Sequence, residues 1–319
     1  MSTITVPDTL PSPEEDSQRL RKAFEGWGTD KKAIIEVLGH RDSRHRAAIA
    51  RCYSLLYNES LLERLHSELS GDFGRAVTLW TENPSERDAK LAHEAIKRKG
   101  DRDICIILEI ACSSSPEHLI AVRKSYCSLF HSSLEEDIES YFACQQQLKQ
   151  FLASVVSSYR YDGDHVDKQL AKSEAKKLFD AVRGKQPCHK DVVRILGTRS
   201  KAHLKFAFKY YKEEYGISIE EDIECNSSDD KKLTSIMRVA ITCLEYPEKH
   251  FAEVAKNSIV GLGTDEESLT GTIVTRAEID MKLIKEEYKR RYNTTLKDDV
   301  IGDTSGYYKD FLLTLLGTN

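Results

Sequence analysis

The sequence predicts an all-α protein built from four copies of one helical unit of about 70–80 residues. Three observations predict it. Stretches of the chain repeat in register, apolar residues recur at helix spacing, and turn formers are few, with seven prolines and sixteen glycines in 319 residues. A many-stranded fold needs more of them.

The first repeat sets the pattern. Residues 20–41 read LRKAFEGWGTDKKAIIEVLGHR, and adding 235 to each number gives AKNSIVGLGTDEESLTGTIVTR. An offset of 158 gives a copy ending in VVRILGTR, so that Arg199 matches Arg41. An offset of about 72 sets Ile106, Ile107 and Ile110 beside Ile34, Ile35 and Leu38. Tyr53, Tyr126, Tyr211 and Tyr288 share one repeat position, and Leu61, Leu134, Ile219 and Leu296 another. The units are a tail at 1–12 and repeats at 13–83, 84–158, 159–243 and 244–319.

Each repeat reads as four or five helices. Ala33, Ile34, Val37 and Leu38 make an apolar stripe on one helix face. Pro84, Pro116 and Pro247 fall at helix starts, where the missing N–H costs nothing. Thr264 and Glu267 fit a capping box, the hydroxyl on a free backbone N–H and the Glu reaching back.

Composition bounds the function. A net charge of −5 provides no bulk basic field, so nucleic acid is excluded as a partner and attraction to an anionic surface needs local charge or a bound cation. The eight cysteines include no Cys-x-x-Cys pair, so no structural zinc site is indicated. There is no signal-peptide pattern at the start and no apolar run near the ~20 residues that span a bilayer. The reading is a cytoplasmic protein with reduced thiols and at most peripheral membrane attachment.

The glycine loops carry the chemistry. In Phe24-Glu-Gly26-Trp27-Gly28-Thr29, paired glycines allow backbone angles that turn carbonyls toward one centre. A hard cation such as Ca2+ takes such oxygens and wants a carboxylate as well. Forty residues after Gly28 stands Glu68, and forty after Gly263 stands Asp303. Both precede a small polar residue and a glycine, Gly71 and Gly306.

A helical repeat used four times, with G-x-G-T, 38 residues and then Asp or Glu, resembles the annexin family over essentially the full chain. The resemblance implies a slightly curved disc of about five helices per repeat. It implies that the carbonyls of Phe24, Gly26 and Gly28 with Glu68, and those of Ile259, Gly261 and Gly263 with Asp303, bind Ca2+. The remaining coordination positions then take a lipid phosphate oxygen. Trp27 and Leu262, between the paired glycines, are expected at the membrane interface, with Lys31 and Lys32 adding attraction to anionic lipid. Repeat two has Arg98, Lys99 and Gly100 at the loop and Tyr141 near the acid position. Repeat three has Gly184 to Cys188 at the loop and Asn226 in place of the acid. This one-and-four pattern, with SSYRYDG at 157–163 and YPEKHF at 246–251, is similar to plant annexins.

The function so implied is Ca2+-dependent binding to anionic phospholipid membranes by a protein that is not an enzyme. It is monomeric in solution, with self-association on membranes. The resemblance also brings alternatives: a redox or peroxidase-like role at His40 or at Cys112 and Cys243, a calcium-permeable channel, and an F-actin-binding scaffold. From the residues alone, His40 is a helix-end histidine, Cys112 and Cys243 are buried thiols, and the charge run at 285–291 is a solvated helix face.

Overall fold

The computed structural model describes residues 1–26, 28–186, 188–226, 231–260 and 263–317. Among them, all regular structure is helical. The first repeat contributes α1 (Pro13–Ala23), α2 (Lys31–Leu38), α3 (Ser43–Tyr57), α4 (Leu61–Glu68) and α5 (Gly71–Thr81). The second gives α6 (Pro84–Arg98), α7 (Asp101–Ser113), α8 (Pro116–Phe130), α9 (Leu134–Tyr141) and α10 (Gln146–Val156). The third gives α11 (Lys168–Arg183), α12 (Lys190–Thr198), α13 (Lys201–Tyr215), α14 (Ile219–Cys225) and α15 (Lys231–Glu245). The fourth gives α16 (Pro247–Ile259), α17 (Glu266–Arg276), α18 (Met281–Tyr292), α19 (Leu296–Asp303) and α20 (Gly306–Leu316).

Local chemistry sets the boundaries. Ser12 caps α1 in a reciprocal box with Glu15, and Pro13 follows where no N–H is needed. Pro84, Pro116 and Pro247 each open a helix. The third helix of every repeat ends on a residue in the left-handed region, at Asn58, His131, Gly216 and Asn293. Two residues later Ser60, Ser133, Ser218 and Thr295 cap the fourth helix. The repeat is therefore written in caps as well as in core positions.

The chain forms two compact units. One comprises Met1–Pro84 with Glu248–Asn319, and the other Ser85–Pro247. Repeats one and four thus share one unit and one core. In that core Ile34, Val37, Leu38, Trp80, Ile273, Phe311 and Leu312 are buried, and Ile35 joins them while Ala33 stays partly exposed. The Trp80 indole N–H donates to the Leu38 carbonyl at 2.8 Å, and the Arg46 guanidinium stacks 3.6 Å from its ring. Arg46 also pairs with Glu278 at 2.9 Å, tying repeat one to repeat four. The second unit packs its own core around Ile104, Leu108, Phe151, Leu178, Leu196 and Met237.

The first helix of repeats one, two and three carries a buried carboxylate held by basic side chains. Arg41 makes a two-pronged bond to Asp16 at 2.7 and 2.8 Å. At the matching place in repeat three, Glu174 is fully buried and held by Arg194, Arg199 and His203. In repeat two, Asp88 is held by Arg87 and His118 at 2.8 and 2.7 Å.

Candidate metal centres in the glycine loops

Both glycine loops link the end of one helix to the start of the next and are closed identically. The Asp30 N–H donates to the Ala23 carbonyl at 2.8 Å, and the Asp265 N–H to the Ser258 carbonyl at 2.8 Å. Asp30 and Asp265 then cap α2 and α17 through their side chains. Gly26, Gly28 and Gly263 have φ of +103°, +92° and +100°. A Cβ at any of the three would meet nothing within 4 Å, so the need for glycine is one of backbone angle and not of space.

Each loop meets a carboxylate through its threonine. The Thr29 hydroxyl donates to Glu68 Oε2 at 2.6 Å, and the Thr264 hydroxyl donates to Asp303 Oδ2. Glu68 and Asp303 end α4 and α19, and Gly71 and Gly306, with φ of +62° and +61°, start the next helices. Thr264 therefore does not form the expected capping box. Its hydroxyl is committed to Asp303, Asp265 takes the cap, and Glu267 pairs with Arg75 at 2.7 Å.

The two sites differ in their neighbours. Arg64 donates to Glu68 Oε1 at 2.9 Å and reaches the Phe24 carbonyl at 3.4 Å. The matching position in repeat four is Asp299, which pairs with Lys256 and accepts from Tyr288. Phe24 is buried, Glu68 partly so, and Asp303 is exposed. Trp27, Gly261 and Leu262 lie outside the described residues.

The donors fit a hard cation. Among the described residues no hydrogen bond is made to the carbonyl oxygens of Gly26, Gly28 or Gly263, which lie in exposed turns. No three His, Cys, Asp or Glu side chains converge among the described residues, so a metal here relies on carbonyl oxygens and one carboxylate. Oxygen-only donors suit Ca2+ and not a soft metal.

The degenerate repeats differ in chemistry as well as in sequence. Lys99 takes a φ of +59°, and its ammonium lies 5.2 Å from the Tyr141 ring. Arg98 pairs with Asp103, which also caps α7 through the Gly100 N–H. A fixed cation thus faces an aromatic ring where the first repeat sets carbonyls against a carboxylate. In repeat three the Asn226 amide donates to Asp222, and the position supplies no carboxylate.

Lys31 and Lys32 part company. The Lys31 ammonium lies 5.9 Å from the Phe73 ring and 5.5 Å from the Tyr307 ring, and Lys32 is exposed. Lys31 starts α2, Phe73 and Tyr307 lie in the first turns of α5 and α20, and Arg75 joins α5 to the start of α17. Both glycine loops therefore emerge at one end of their unit.

The remaining candidates are His40 and the two cysteines. His40 stands just past α2, and its Nδ1–H donates to the Thr5 carbonyl at 2.9 Å. Cys112 and Cys243 are buried in the core of the second unit, and burial pushes the Cys112 thiol up to about 11. A thiol so shifted is a poor nucleophile at neutral pH. Sequence reasoning missed Arg64, because an Arg four residues before an acid on a helix reads as an ordinary surface pair.

A sequence model of the annexin family matches residues 15–80, 87–143, 173–234 and 250–315. Annexin D3 of Arabidopsis thaliana is 48% identical over 322 residues, covering 100% of this chain and 99% of that one. The solved structure of annexin III superposes with a TM-score of 0.92 at 27% identity, over 100% of this chain and 97% of that one. The calcium-bound structure of annexin (Sm)1 gives 0.85 at 27% identity, over 100% and 93%.

Proposed function

This chain belongs to the annexin family, and we propose that it attaches to anionic phospholipid membranes when Ca2+ rises, through the loops at 24–29 and 259–264. The observation that carries the reading is the threonine–carboxylate contact. Thr29 to Glu68 and Thr264 to Asp303 each close a positive-φ glycine loop onto an acid 39 residues away in sequence. Glycine turns that served only to join helices need no such partner.

In the first site the carbonyls of Phe24, Gly26 and Gly28 and the carboxylate of Glu68 would hold Ca2+. In the second, Ile259, Gly261, Gly263 and Asp303 would do so. Bound there, the ion supplies a dipositive centre with about two of its 6–8 coordination positions open to a phosphate oxygen. The protein's own part is to hold the donors. Positive-φ glycines turn the carbonyls outward, Thr29 and Thr264 orient the carboxylates, and Asp30 and Asp265 pin the following helices. A site with one carboxylate binds weakly by itself, on the order of 10⁻⁴–10⁻³ M. Two loops at one end of one unit then act together by raising effective concentration.

A peripheral mode agrees with the helices, since none among the described residues is long and apolar enough to cross a membrane. Co-sedimentation with vesicles tests the reading. The chain should pellet with phosphatidylserine vesicles in Ca2+, and stay in solution in chelator or with purely neutral vesicles. Equal pelleting with and without chelator defeats it.

A further inference from the structure

The chain is acidic overall, yet one cleft concentrates positive charge. Lys282, Lys285 and Lys289 recur at i, i+3 and i+7 on α18, along one helix face. With Lys297 of α19 and the N-terminal residues Thr3 and Thr5 they line a cleft of about 490 Å3. Among the described residues, Glu286 is the one acid in its lining. Among the described residues, none of the four lysines has a carboxylate within ion-pair distance, while most other basic side chains in this unit do.

The cleft is a built feature and not a chance grouping of surface lysines. Its wall is the N-terminal segment, fixed by three contacts. The Thr3 N–H donates to the Ala277 carbonyl at 2.9 Å, the Thr3 hydroxyl to the Leu315 carbonyl at 2.7 Å, and the Lys282 N–H to the Met1 carbonyl at 3.2 Å. Lys285 is half-buried and donates to the Leu316 carbonyl at 2.9 Å. Burial, then Lys297 and Lys282, hold its ammonium below its ordinary pKa, as like charges crowded around one space must. The Thr3 hydroxyl is spent on holding the wall, so the lysine ammoniums are the cleft's cationic donors.

Position decides between sources of anion. His40, Ala277 and Leu316 mark the C-terminal ends of α2, α17 and α20, and the glycine loops stand at the N-terminal ends. The cleft therefore lies about 12 Å or more along the helices from the loop end. A membrane held by the loops does not reach it.

We propose that this lysine cleft binds a soluble, multiply charged anion bearing clustered phosphates. Several ammonium groups at helix spacing suit several phosphate oxygens, and a single carboxylate would leave most of them unmatched. The assignment is independent of the calcium loops.

The test is calorimetric titration of the full chain with sodium tripolyphosphate in chelator at low salt. The parent should bind saturably, and more weakly as salt rises. Lys282→Gln with Lys289→Gln, both exposed, should weaken binding about tenfold or more, since each removes a charge-assisted contact. Lys176→Gln with Lys177→Gln, on α11, should leave it unchanged. No saturable binding, or equal binding by the Lys282/Lys289 variant, overturns the site. A second arm uses calcium-free vesicles carrying a phosphoinositide bisphosphate. Pelleting of the parent that is lost in the Lys282/Lys289 variant overturns the assignment to a soluble anion and gives the cleft to a lipid headgroup.

Discussion

The Arg64 guanidinium donates to Glu68 at 2.9 Å and reaches the Phe24 carbonyl at 3.4 Å, so one internal cation touches two oxygens proposed for Ca2+. Repeat four has Asp299 in the place of Arg64. The two sites should therefore differ: the first must displace or share a positive charge, and the second need not.

Arg64→Gln should strengthen Ca2+ binding at the first site by about three- to tenfold, the size of a partly exposed charge contact. Calcium titration with phosphatidylserine vesicles, in an Asp303→Asn background that silences the second site, reads this directly. Unchanged or weaker binding shows that Arg64 holds the carboxylate in place and does not compete.

Gly28→Ala and Gly263→Ala should each cost about 1–3 kcal/mol locally, because φ near +92° and +100° is strained for any residue with a Cβ. The Ca2+ concentration for half-maximal vesicle binding should rise in both. Gly302→Ala, in α19 with open space around it, should be neutral or stabilise by up to about 1 kcal/mol. Thermal melts in chelator separate the two effects.

Much of this was legible in the chain. The fourfold repeat, the helical class and the spacing from loop to carboxylate all follow from register, because caps and core positions recur with it. The four repeat tyrosines were visible, but their partners were not. Tyr126, Tyr211 and Tyr288 donate to Asp137, Asp222 and Asp299, each eleven residues on and across a helix turn-around. In repeat one that position is Arg64, and Tyr53 turns to Glu59 at 3.4 Å. Such contacts depend on how helices pack, which no periodicity encodes. The capping box at Thr264 failed for a like reason, since a tertiary carboxylate outcompeted a local N–H. The lysine cleft was hidden because its wall is the N-terminus, far away in sequence.

Tyr288→Phe should therefore destabilise the protein by about 1 kcal/mol, since it removes one hydrogen bond to a partly buried Asp299 that Lys256 and Thr294 still hold. Tyr53→Phe should cost less, its hydroxyl contact being long. Urea unfolding of the two variants checks the order, and equal losses contradict it.

Acid should weaken the protein through Asp88. Burial alone would raise its pKa, but Arg87 and His118 hold the carboxyl down at about 2, below its ordinary 3.8. A depressed folded value gives stability that is full above the unfolded pKa and lost as pH falls toward the folded one. The window is about pH 4 to 2, and the contribution is on the order of 2 kcal/mol. In Asp88→Asn the drop in unfolding free energy across that window should shrink by about this amount.

The central claim is that Glu68 and Asp303 make the glycine loops into calcium sites for a lipid surface. Glu68→Gln with Asp303→Asn keeps the volume and removes both negative charges. Pelleting of this variant with phosphatidylserine vesicles, across a Ca2+ series beside the parent, tests the claim most directly. Calcium-dependent pelleting should disappear, or need at least about tenfold more Ca2+, while the melt in chelator stays near the parent's. A variant that folds and pellets at the parent's Ca2+ concentrations contradicts the account.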